Sequence, residues 1–170
     1  MKRFDCVFLI AGIVFAACAF GACKSPIAED APPPVVDDDF NVLTKLFSKT
    51  ANIVLDTTAA ANFNGDGSRM TRNAATAAEF VYKVNEGITR FTMEGWYWTA
   101  EPIVDFDFYT SADGVSYKTY YPAQEQVTPN WTLITYTGAA LPSGTKYLKI
   151  ALAKTTGVVW NPQVGSVKLY

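Results

Sequence analysis

The chain has 170 residues, 14 of them basic and 16 acidic, a net charge of -2, and no histidine. That length suits one domain of ordinary size with a short accessory segment, and the near balance of charge gives no footing for a nucleic-acid partner. Without histidine the commonest general base and the commonest metal ligand are both missing, so an enzyme is not the expected reading.

Met1, Lys2 and Arg3 give the chain a basic start, and residues 7–20 form an apolar run too short to span a membrane comfortably. Residues 1–22 therefore read as a secretory signal. The three cysteines, Cys6, Cys18 and Cys23, all lie in or just after this run, which leaves no disulfide framework and no thiol site in the rest of the chain. The run closes on AFGAC, with small residues before Cys23. This piece resembles the lipobox of bacterial lipoproteins, in which the cysteine is lipidated and becomes the mature N-terminus. Phe20 departs from the usual aliphatic residue of that motif, FAAC at Cys18 competes with it, and cleavage near Ala22 with Cys23 incidental is the plainer alternative. Lipidation of Cys23 would tether the protein to a membrane without spanning it.

Residues 23–39, CKSPIAEDAPPPVVDDD, combine a proline triplet with clustered acids and little to bury. The composition predicts an extended linker, with the Asp37, Asp38 and Asp39 run as solvated charge rather than a calcium cluster.

From Phe40 onward short apolar runs alternate with Gly, Pro, Asn, Asp and Ser, the spacing of an all-β domain over residues 40–170. Strands are expected at residues 51–56, 69–72, 78–84, 90–98, 104–111, 116–120, 132–137, 146–153 and 165–170, a number suited to a two-sheet sandwich. In RFTMEGWYW, Phe91, Met93, Gly95 and Tyr97 alternate with Thr92, Glu94, Trp96 and Trp98, so two tryptophans fall on the face opposite Phe91. In VDFDFYTS, Val104, Phe106 and Phe108 alternate with Asp105, Asp107 and Tyr109, and the following Asp113-Gly114 predicts a hairpin over residues 106–120 with positive φ at both turn residues. Leu148, Ile150 and Leu152 form one face of a half-buried strand.

EFVYKVNEGITRFTM, FYTSADGVSY, LPSGTKYLKIAL and WNPQVGSVKLY, in that order, resemble the galactose-binding-like β-sandwich modules that accompany secreted bacterial glycoside hydrolases and polysaccharide lyases. The resemblance covers residues 40–170 and implies an antiparallel jelly-roll sandwich of the carbohydrate-binding-module kind. It implies no particular sugar, because loops carry specificity on such folds.

Candidate chemistry follows from residue types. Asp105 and Asp107 share a strand face, but outward acids are what the wet side of a strand normally carries, and no catalytic residue is assigned. In NFNGDGSRMTRN, Asn64, Asp66 and nearby carbonyls offer oxygen ligands to a structural calcium, against the plainer reading of a Gly-rich turn; no other cofactor is expected. Arg69 and Arg72 offer planar donor forks to sugar hydroxyls, or simply solubilise the surface. Trp98 with Glu101, Tyr120 with Tyr121, and Trp160 lie in segments 98–101, 120–124 and 157–163 and combine rings with polar groups, the mixture a sugar site needs, although Trp96, Trp131 and Trp160 would also serve to plug the ends of a sandwich. The expected function is a non-catalytic glycan-binding module, with an oligo- or polysaccharide as partner, secreted and held at the bacterial cell envelope or surface by a lipid. The competing expectation is a structural or adhesive surface lipoprotein whose aromatic patch meets another protein.

Overall fold

The computed structural model describes residues 32–101, 105–127 and 131–170. Cys23, the apolar leader, Val104 and most of the expected linker lie outside them. The described residues belong to one compact unit, Pro32–Tyr170, and form an all-β sandwich of two antiparallel sheets with a single 3-10 turn at Ala60–Phe63. In chain order the strands are β1 Val36–Asp38, β2 Ser48–Lys49, β3 Ile53–Asp56, β4 Arg69–Arg72, β5 Ala78–Lys83 and β6 Phe91–Trp98. They continue with β7 Phe106–Ser111, β8 Lys118–Tyr120, β9 Ala123–Val127, β10 Trp131–Gly138, β11 Tyr147–Leu152 and β12 Gln163–Leu169. The larger sheet runs β3-β4-β12-β6-β10-β9, and the smaller runs β2-β5-β11-β7-β8.

The linker expected up to residue 39 ends earlier than its composition suggests. Val36, Asp37 and Asp38 pair with Leu169, Lys168 and Val167, beside the part of β12 that β4 leaves free. Asp38 is fully buried: its carboxylate accepts hydrogen bonds from the Tyr82 hydroxyl (2.9 Å) and the Phe40 amide (3.1 Å), with Lys45 at 3.8 Å. A charge run in sequence thus conceals one acid whose burial is compensated in part by a partner 44 residues away.

Period-two alternation accounts for the core. Phe91, Met93 and Tyr97 of β6 face Phe106 and Phe108 of β7, with Tyr82, Leu148, Ile150 and Leu169 completing the layer between the sheets. Phe91 and Phe108 stack with centroids 5.5 Å apart. Tyr97 and Tyr136 carry hydroxyls into this layer, where they bond to each other, and Tyr136 donates to Asp105 at 2.7 Å. Burial pushes both phenols far above their ordinary range, so they remain neutral donors. Asp105 also caps the Phe106 amide at 2.8 Å, while Asp107 is exposed on the outer face. Both acids are exposed and line one shallow cleft, as their period of two predicts, and Asp105 in addition accepts the hydrogen bond of the buried Tyr136 hydroxyl.

β7 and β8 form the expected hairpin, with Tyr109 opposite Thr119. The connection is wider than a two-residue turn, and only Gly114 adopts positive φ (76°). Asp113 instead closes the loop through its carboxylate, which accepts the amides of Val115 and Ser116 (both 2.8 Å) and the Ser111 hydroxyl. Gly114 is needed here twice, since a Cβ would also strike the Tyr147 ring at 2.9 Å. The hydrogen bonds from Ser116, Val115 and Ser111 hold the Asp113 carboxyl at about 2, below its ordinary 3.8. A depressed carboxyl stabilises the fold above its unfolded value and loses that contribution as pH falls through the folded value. The melting temperature should accordingly drop between about pH 4 and pH 2, and Asp113→Asn should flatten the drop in a pH series of thermal melts.

Candidate functional site

Trp96 and Trp98 do fall on the face opposite Phe91, which is the outer face of the larger sheet, and the structure supplies their cover. After β3 the chain turns back through the 3-10 turn and lays Phe63 over that face. Phe63 meets Trp96 edge-on at 5.8 Å and Trp131 at 4.3 Å. Trp98 lies 5.3 Å from Trp131, and Trp160 lies 5.5 Å from Trp131 on its other flank. All four tryptophans of the chain thus join one aromatic cluster outside the main core. Of these rings Trp160 is the most open, 37% exposed against 4% for Trp96 and 7% for Trp131.

Arg69 lies beneath this cluster, fully buried, with its guanidinium 3.7 Å from the Phe63 ring centroid. Its Nε donates to Gln163 Oε1 at 2.7 Å, Nη1 donates to the Asp66 carbonyl and Nη2 to the Thr58 carbonyl, with Asp56 Oδ1 at 3.8 Å. Gln163 returns its Nε2 to Asp56 Oδ2 at 3.2 Å, closing a ring that joins residues 107 positions apart. Burial would raise the Asp56 carboxyl, but hydrogen bonds from Thr58 and Gln163 and the charge of Arg69 outweigh it and hold it below the usual range. Burial dominates at Asp66, whose carboxyl is raised. Asp66 Oδ2 and Trp96 Nε1 share the space over Gly165, where a Cβ would stand 2.7 Å from each, so β12 can pass only because that residue has no side chain.

This architecture revises the roles expected for both arginines. Neither Arg69 nor Arg72 is a surface residue; Arg72, 1% exposed, donates to the Ala153 carbonyl and the Thr155 hydroxyl and ties the 153–155 segment to β4. The Asp66 carbonyl, one of the oxygens proposed for a calcium ion, is engaged by Arg69, and the Asp66 Oδ1 atom by the Ser68 amide. No group of three or more acidic or cysteine side chains with metal-holding geometry occurs among the described residues.

Above Arg69 opens a cleft of about 410 Å³. Its apolar wall is Phe63, Trp131 and Trp160, and its polar rim is Asp56, Thr58, Asn62 and Gln163. Trp160 is held there by its neighbour: the Asn161 side chain accepts the Trp98 amide at 3.0 Å, docking the 157–163 segment against the end of β6. No protein-family model matches the chain, and no curated protein matches it in sequence.

The other expected site residues separate. Trp98 joins the cluster, half-buried, behind Trp131, and Glu101 turns back so that its amide donates to the Trp98 carbonyl, without lining the cleft. Tyr120 is half-buried: it packs edge-on against Phe91 at 6.0 Å and also lines, beside Tyr121, a cleft away from Trp160. Tyr121 is 87% exposed, on that cleft of about 190 Å³ with Asp105, Asp107, Pro122 and Gln124. Asp56, Thr58, Asn62 and Phe63 were not among the expected site residues, whereas Gln163 closes the expected 157–163 segment. The Gly-rich NFNGDG marked a turn after β3, and it carried no sign of which strands that turn would cover.

Proposed function

We propose that this domain is a non-catalytic carbohydrate-binding module of the jelly-roll, galactose-binding-like type, held at the bacterial cell envelope by a lipid on Cys23. The observation that carries the reading is the exposed ring of Trp160 standing over a cleft whose opposite rim presents amide, hydroxyl and carboxylate groups. An indole face stacks on the C-H face of a sugar, and the rim groups suit its hydroxyls. One such stack with a few hydroxyl contacts corresponds to a Kd of order mM to µM, about -4 to -8 kcal/mol. The non-catalytic reading rests on chemistry: the chain has no histidine, its cysteines all precede the sandwich, and the Asp105 carboxylate is committed to Tyr136 and the Phe106 amide.

A multimerised soluble domain from Pro32 onward should give signals on a glycan array that Trp160→Ala removes. Silence on the array, with retention on a protein surface, would favour the adhesive reading instead. The anchor is tested separately. Full-length protein expressed in bacteria should partition into the detergent phase and Cys23→Ser into the aqueous phase; partitioning unchanged by that substitution would remove the lipid from the account.

A further inference from the structure

We infer that the Trp160 cleft selects uncharged glycans and turns away uronic-acid and sulfated ones. The inference rests on the glycan reading of the same cleft and adds the substrate class. Recognition of an anionic sugar needs an arginine or lysine with free donors, the fork that pairs with a carboxylate or sulfate. Among the described residues the cation at this cleft is Arg69, and it is not available: it is fully buried, each of its three nitrogens donates to an oxygen of the protein, and Phe63 covers its face. What reaches the rim is the opposite charge. Asp56 lines the cleft, and the hydrogen bonds from Thr58 and Gln163 keep it ionised at neutral pH. The remaining rim groups, Thr58, Asn62 and Gln163, are neutral. A carboxylate on the sugar would lose its hydration without gaining a charged donor and would meet Asp56 as a like charge.

The experiment measures the folded domain against glycans paired by backbone, such as xylan with glucuronoxylan and galactan with polygalacturonate, at low and high salt. The expected result is binding of at least one neutral member, about tenfold or more tighter than its acidic counterpart and nearly independent of salt, as uncharged recognition requires. Asn62→Lys, an exposed change on the rim, should then create salt-sensitive binding to the acidic member. Acidic glycans bound as well as or better than neutral ones would overturn the inference while leaving the glycan reading intact. Absence of binding to every member of both classes would instead remove the glycan reading, and this inference with it.

Discussion

Replacing Arg69 by alanine should cost the domain about 3–5 kcal/mol, the scale for removing one partner of a buried ionic network. The loss has several sources. The carbonyls of Thr58 and Asp66 and the Gln163 amide oxygen would lose their donor, Asp56 would lose its compensating charge, and Phe63 would lose the plate on which it rests. Against a typical total of about 5–15 kcal/mol this is a large share, and the midpoint of urea unfolding should move accordingly. Arg69→Lys should recover only a minority of the loss, since one ammonium on a flexible stem cannot serve three acceptors in a plane and also stack on a ring. If Arg69→Ala unfolded within about 1 kcal/mol of the wild type, the network would be ornamental and the arginine free for another task.

Trp160→Ala should do the reverse, weakening glycan binding by about 1–3 kcal/mol, roughly tenfold to more than a hundredfold, while leaving the fold nearly intact. The ring is more than a third exposed, and among the described residues its ring contact with the cluster is Trp131, so its removal opens little cavity. Trp131→Ala lies on the other side of that boundary. Its ring is buried between Phe63, Trp98 and Trp160, and losing it should destabilise the domain by about 3–5 kcal/mol, as large core truncations do. Tyr121→Ala, at the separate cleft, should leave affinity for the same glycan unchanged. A pair of variants in which Trp160→Ala melts as early as Trp131→Ala would make Trp160 a packing residue.

The sandwich was legible where alternation is strong. Phe91, Met93 and Tyr97, Phe106 and Phe108, and Leu148, Ile150 and Leu152 occupy the interior that their period of two assigns them. Where that signal is absent the elements were invisible: β9 has the sequence AQEQV, exposed throughout, and exists because β10 offers it a hydrogen-bonding edge. β1 was hidden by acids, because no local pattern reveals that the middle one of three will meet Tyr82.

The candidate site shows the same division. Period two placed Trp96 and Trp98 on the face opposite Phe91. Their cover, Phe63 and its 3-10 turn, is a tertiary event that joins residues of β6, β10 and the segment after β3, and short-range patterns do not encode it. Arg69 misled for a related cause. An arginine beside a Gly-rich turn has the composition of a surface residue, and only the convergence of Asp56, Asp66 and Gln163 around it makes burial affordable.

The most direct test of the proposed glycan cleft uses the four tryptophans as reporters. Each indole N–H gives its own NMR signal, and all four rings lie in the one cluster. Titration of the labelled domain with a bound neutral oligosaccharide should shift the Trp160 indole most, Trp131 next, and the backbone amides of Thr58, Asn62 and Gln163 with them, leaving Tyr121 and Gln124 unmoved. Saturable binding that shifts Tyr121 and Gln124 while the Trp160 indole stays in place would put the ligand elsewhere and contradict the account.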